Sequence, residues 1–235
     1  MSIAQELLDS EIFLINAYDK LAKKGATMPE KKTLKNLAET IESLMGIEFV
    51  DYIESTGTQY VDTGFKPNNN TSIEMKVLIP SSQAGNVVRF FESRNNANTV
   101  DGAFGILSFD DSNKILQFRY DTAKNSDTNS QLAIDTEYII RTDKNKLYVN
   151  DTLKVEQTTS TFQLNYNLLL FGYQSPSDLH SNTGVYRLYY FKIYDNGVLI
   201  RDFKPCKNTH GECCLYDAVS NRYFYNAGSG IFNCG

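Results

Sequence analysis

The chain has 235 residues, a formal net charge of −5, 41% hydrophobic and 22% charged residues, a balance ordinary for a globular protein. The acidic balance and the lack of any Lys/Arg run argue against a nucleic-acid footprint, and no stretch of about 18 apolar residues offers a membrane span. Its aromatics are 15 Tyr and 14 Phe with no Trp, types that suit half-buried pleated surfaces.

The first residues, Met1 to Asp9, are acidic and lack a basic region followed by an apolar run, so synthesis in the cytosol without a secretory signal is expected. Ile3, Leu7, Leu14, Ala17 and Leu21 fall near helical spacing, with Glu6, Glu11, Asp19 and Lys20 between them. Gly25 stands where such a helix would stop. Thr27-Met-Pro-Glu30 has the form of a capping box, which predicts a second helix start there. Leu34, Leu37, Ile41 and Leu44 then make a narrow apolar stripe. Two helices of this length hold too little core to stand alone, so the stripe must dock on the rest of the chain, on another copy, or on another protein. Residues 1–46 therefore read as a helical attachment and oligomerisation segment.

From residue 47 to 235 the period changes to two. Ser72-Ile-Glu-Met-Lys-Val77 alternates, with Ile73, Met75 and Val77 inward. Phe104–Phe109 and Ile115–Tyr120 flank a turn at Asp110–Asn113. Lys146–Asn150 and Thr152–Glu156 flank a turn at Asn150-Asp151. Leu168–Phe171 and Val185–Tyr194 are apolar on both faces, as strands in the middle of a sheet are. Asp195-Asn-Gly197 is a hairpin signal, because Asn and Gly tolerate the positive φ such a turn requires. Roughly a dozen short strands with turn residues between them predict a mainly β, two-sheet sandwich or barrel. Cys206, Cys213, Cys214 and Cys234 crowd the C-terminal end, where reduced thiols on a late strand pair are expected. His210 between two of them makes zinc conceivable, although the spacing matches no familiar paired motif.

Tyr52-Ile-Glu-Ser-Thr-Gly-Thr-Gln-Tyr-Val-Asp-Thr-Gly64 resembles the opening strand pair of laminin-G-like jelly-roll domains in tail proteins of phages infecting Firmicutes. Tyr186–Asp195, Val198–Pro205, Leu215–Asp217 and Asn226–Gly228 resemble the late and closing strands of that concanavalin-like family. The stretch from Gly25 to Leu44 is similar to the short helical element before such domains in tail or baseplate proteins. The resemblance implies a jelly-roll sandwich in a virion, attached to other virion proteins or to itself through the helices. The adjacent pair Cys213-Cys214 departs from the family's pattern.

Glycosidases on this fold need two carboxylates flanking a cleft. The nearest run, Glu48, Asp51 and Glu54, has a spacing of three that alternates faces on a strand, so solvated strand edges are the plainer reading. His180 and His210 lie in polar turns without a nucleophile elbow or cysteine signature beside them. Binding is the expectation that remains, to a host-surface glycan or a neighbouring virion protein, with a structural assembly module and a glycosidase as alternatives. The segments Ser93–Asp101, Asp121–Gln131 and Gly172–Thr183 read as polar loops. They place Arg94, Asn95, Asn96 and Asp178 as hydroxyl partners for a carbohydrate, with Tyr120 and Tyr173 as stacking faces; plain solvent-exposed loops are the alternative. The resemblance also allows calcium, for which Asp110, Asp111 and Asn113 are the candidate ligands, and an Asx turn accounts for the same residues.

Overall fold

The computed structural model describes residues 3–23, 28–34, 36–37, 40–41, 47–83, 87–96, 102–108, 114–176, 179–180 and 185–235, with the backbone alone at 3, 4, 7, 83, 125–130, 179 and 180. Internal packing divides the chain into two compact units, residues 1–49 with 207–211 and residues 50–206 with 212–235.

In the first unit, helix α1 runs from Ile3 to Lys23, with Glu6 in its first turn and Lys20 and Lys23 in its last. That placement suits the helix dipole. Its anchor is Tyr18, fully buried, whose hydroxyl donates to the Thr33 carbonyl at 2.8 Å. A second helical turn starts later than the Thr27–Glu30 box predicts. Thr33 is its cap: the Asn36 N–H donates to the Thr33 hydroxyl at 3.1 Å, and the Leu37 N–H donates to the Thr33 carbonyl at 2.9 Å. Pro29 and Glu30 precede it in non-helical backbone, and Thr27 and Gly25 lie outside the described residues. Both sites offer a threonine followed by a polar residue three positions on, and the later one takes the cap.

The second unit contains the strands β1 (Thr71–Leu78), β2 (Val88–Arg94), β3 (Ala103–Ser108), β4 (Ile115–Asp121), β5 (Ala123–Gln131), β6 (Glu137–Asp143), β7 (Lys146–Val149), β8 (Thr152–Glu156), β9 (Arg187–Asp195), β10 (Val198–Lys207), β11 (Cys213–Asp217) and β12 (Arg222–Phe224). They form two predominantly antiparallel sheets. Sheet I runs β8-β7-β6-β1-β9-β10-β11-β12, and sheet II runs Leu179–His180, Tyr173–Gln174, β2, β3, β4, β5. The Tyr173–Gln174 pair lies parallel to β2. Leu169–Leu170 pairs on one side with Val61–Asp62 and on the other with Phe91–Glu92, the mid-sheet place that its apolar run predicts.

One core lies between the sheets. Ile73, Met75 and Val77 of β1 are buried while Ser72, Glu74 and Lys76 are part-exposed, so the alternation holds residue by residue. Phe91 of sheet II and Phe191 of sheet I meet edge to face at 5.4 Å. The β9–β10 hairpin turns on Asn196 at φ 49° and Gly197 at φ 79°, and Asn150-Asp151 turns likewise at φ 46° and 61°. Two consecutive left-handed residues give the twist that matches paired strands.

Further expectations change. Gly172–Thr183 is not a loop throughout, because Tyr173–Gln174 and Leu179–His180 pair as strands of sheet II. The segment from Asp121 to Gln131 is not a loop: Asp121, at φ 55°, reverses the chain, and β5 pairs back on β4. A polar strand at a sheet edge carries no apolar alternation to announce it. The cysteines are also not all reduced. Cys213 on β11 is disulfide-bonded to Cys234, whose two-residue strand pairs with Ile53–Glu54, which brings the two Cα atoms to 5.9 Å. Cys206 and Cys214 keep their thiols and are buried.

Candidate functional site

The outer face of sheet II carries a knot of charge built by strand register. Glu92 on β2 lies opposite Gly105 on β3, and Gly105 lies opposite Arg119 on β4. A Cβ on Gly105 would stand 2.7 Å from the Glu92 Cγ, so glycine is what lets the Glu92 chain cross β3 towards Arg119. Glu92 is wholly buried. It accepts from Arg94 through Nε at 2.8 Å and NH2 at 2.9 Å, a bidentate fork, and from Arg119 NH1. Gln117 steadies Arg119 from the same strand by accepting from its Nε at 3.1 Å. Arg89 stands further off, its Nε 3.6 Å from Glu92. The Tyr173 ring stacks on both Arg89 and Arg94, at 4.7 and 4.5 Å from their guanidinium carbons. Burial pushes Arg89 and Arg119 below the usual guanidinium range, against the pull of Glu92.

The outer face of sheet I is different in kind. One row crosses it in register: Tyr148, Arg141, Glu74, Lys192 and Asp202. Arg141 lies over the Tyr148 ring at 4.0 Å, and Lys192 reaches Glu74 at 3.4 Å. Burial and the Glu74 charge push the Tyr190 hydroxyl up to about 12. Two interior members of the row, Glu74 and Arg141, also line a cleft of about 430 Å³ together with Ser72, Lys144, Tyr194 and Asn196 among others. The cleft offers hydroxyl, amide, carboxylate and cationic groups on a sheet beside the half-buried ring of Tyr194. That is the equipment for holding a polyhydroxylated ligand by hydrogen bonds and ring contacts.

Of the sequence-predicted residues, Arg94 and Tyr173 are brought together in the sheet II knot. Asn95 is a local brace, donating to the Gln163 carbonyl at 3.2 Å and accepting from the Asn165 N–H at 2.7 Å. Asn96 is exposed. Tyr120 is only 2% exposed, with its ring in the core against Phe118 and Phe162, so it presents no open stacking face. Asp178 and the calcium candidates Asp110, Asp111 and Asn113 lie outside the described residues, as does Leu44. Leu34 and Ile41 are 73% and 41% exposed, and Leu37 is half-buried. Among the described residues no group of His, Cys, Asp and Glu is placed to hold a metal, and Cys213 is committed to its disulfide. Glu54 is paired with Arg187 at 2.7 Å and Glu48 with Lys207 at 2.6 Å, which accounts for two members of the acidic run. Sequence reasoning missed Glu92, Arg89, Arg119 and the sheet I row, because only register assembles them.

No protein-family model and no curated protein matches the chain. Among solved structures, one described as the crystal structure of A. japonicus CB05 aligns over 68% of this chain and 29% of its own, with 12% identity and a TM-score of 0.40. This chain thus spans less than a third of that protein. No described helix is long and apolar enough to cross a membrane.

Proposed function

We propose that the chain is a non-enzymatic binding protein of a phage tail or baseplate, built on a laminin-G-like jelly-roll sandwich that recognises a host-surface glycan or a neighbouring virion protein. The setting rests on the resemblance of Tyr52–Gly64 and of the closing strands. The observation that carries the binding role is the outer face of sheet I, where Ser72, Glu74, Arg141, Lys144, Tyr194 and Asn196 line an open cleft, with Lys192 and Tyr148 in register beside Glu74 and Arg141. Binding in place of catalysis fits a face whose central acid, Glu74, is already engaged by Lys192 and by the hydroxyl of Tyr190. An array of bacterial surface glycans probed with the full chain tests this reading. Retention of one glycan class, weakened several-fold by Tyr194→Ala, is expected. Failure to retain any glycan, together with no association with purified tail complexes, would remove it.

A second reading, a purely structural assembly module, is favoured by one observation. The first unit leaves Leu8, Phe13 and Leu34 exposed at 49%, 67% and 73%, more apolar surface than a finished helical face shows. It predicts an oligomer that dissociates when Leu37 and Ile41 become Asp. A wild-type chain that is monomeric by sedimentation would count against it.

A further inference from the structure

We propose that the guanidinium knot on the outer face of sheet II is an oxyanion-binding site, separate from the sheet I cleft, that takes the carboxylate or sulfate group of an acidic ligand. The inference stands independently of the glycan reading.

Three cations and one carboxylate meet there. Arg89, Arg94 and Arg119 all lie within 4 Å of Glu92, and among the described residues no other carboxylate pairs with any of them. Among the described residues the three guanidiniums therefore exceed the carboxylate by two charges. Their side chains are only 22%, 10% and 10% exposed, and Glu92 is not exposed at all. Charges removed from water in this way are costly unless opposite charge and hydrogen bonds replace the water. Glu92 supplies both to Arg94 and Arg119. It does not do so for Arg89, whose Nε is buried without a hydrogen-bond partner.

Among the described residues, donors of Arg89 and Arg94 consequently remain unspent beside Glu92. Arg89 has no hydrogen bond from its buried Nε, and Arg94 uses only Nε and one NH2 donor on Glu92. The Tyr173 ring lies 4.7 and 4.5 Å from the guanidinium carbons of these two arginines, and Gln117 accepts from the third. Guanidinium forks match the two oxygens of a carboxylate or sulfate, and a second oxyanion beside these arginines would offset the charge that Glu92 leaves over. Glu92 hydrogen-bonds only two of the three arginines. The third, least exposed to any carboxylate and most exposed to solvent of the three, is where an incoming anion would be met.

The test is a titration of the full chain with sodium glucuronate, sodium acetate and sodium sulfate, each against sodium chloride at matched ionic strength, read by thermal melting and by calorimetry. Glucose is the neutral control. A saturable rise in Tm with glucuronate or sulfate, absent with chloride and glucose, is expected. A glucuronate preference over both acetate and sulfate identifies the sugar acid as the source, and equal response to sulfate identifies a general oxyanion site. Arg89→Gln should weaken binding roughly 10- to 100-fold, as loss of a charge-assisted contact does, while Arg89→Lys, which keeps the charge but not the fork, should fall between. Indistinguishable melting in all four salts would overturn the proposal, and this measurement needs no variant. So would Arg89→Gln binding as tightly as the wild type.

Discussion

The Tyr186 hydroxyl donates to the Phe90 carbonyl at 2.7 Å, and so ties the entry to β9 in sheet I to β2 in sheet II. Phe90 sits where the β2–β3 register shifts. A bulge frees its carbonyl from the ladder, and that carbonyl accepts both this hydroxyl and the Phe171 N–H at 3.0 Å. The Tyr186 ring is fully buried and stacks on Phe171 at 4.3 Å. Tyr186→Phe keeps the stacking and removes one of two bonds to the carbonyl, so a loss of about 0.5–1.5 kcal/mol is expected. Tyr186→Ala also empties the core and should cost roughly 3–5 kcal/mol. Urea denaturation of the two variants separates the terms; equal losses would show that the hydroxyl, and not the ring, carries the position.

The same tyrosine helps to set the alkaline limit of the fold. Burial holds its hydroxyl well above the usual range, and burial with the Glu74 charge takes Tyr190 up to about 12. A folded-state value raised above the unfolded one, about 10 for tyrosine, means that the folded chain keeps its protons longer. This contribution is whole below about pH 10 and is lost as the pH climbs towards and past the folded values. Melting temperature should therefore fall steeply above about pH 10, and Tyr190→Phe should flatten the fall. A variant whose alkaline slope matches the wild type would show that other groups set it.

Cys213 and Cys214 are chain neighbours on one strand and so point to opposite faces. Cys213 bonds to Cys234, and Cys214 lies 3.5 Å from Cys206. The hydrogen bond from Cys214 and burial push the Cys206 thiol far above its ordinary value, so almost no thiolate exists at neutral pH. Native protein should react with a thiol reagent at neither free cysteine, and unfolded, unreduced protein should show two thiols. Replacing Cys213 and Cys234 by Ser opens a link across 21 positions, which loop entropy values at about 3 kcal/mol. Fast titration of two thiols in the native state would contradict this arrangement.

How far the sequence foretold these features depends on the range of the interaction. Ile73, Met75 and Val77, and the turn at Asn196-Gly197, are set by neighbours one or two residues away and are readable directly. Tyr120 shares its alternating face with Leu116 and Phe118, so its burial was legible in the period of β4 but hidden by the polar residues after it. The Thr33 cap competed with an equally plausible local signal at Thr27. Glu92, Gly105 and Arg119 lie in three strands, and nothing local in any of them announces the others. Their meeting depends on hydrogen-bond register across β2, β3 and β4, which a single sequence does not display.

That register makes Glu92 the residue whose loss should be felt most. Glu92→Gln leaves three buried or half-buried guanidiniums without their carboxylate, and breaking a buried pair from one side costs roughly 3–5 kcal/mol. Part of the penalty is repulsion among Arg89, Arg94 and Arg119, so it should shrink when Arg119→Gln is added to the same chain. Gly105→Ala reaches the knot by another route. Its Cβ would press on the Glu92 Cγ and on the Phe91 carbonyl oxygen, both at 2.7 Å. Backbone does not yield cheaply, so a loss of about 1–3 kcal/mol is expected. The double variant Gly105→Ala with Glu92→Gln should lose less than the sum of the two, because the second change acts on a contact already disturbed. Strictly additive losses in a urea double-mutant cycle would mean that Glu92 does not depend on the gap that Gly105 leaves.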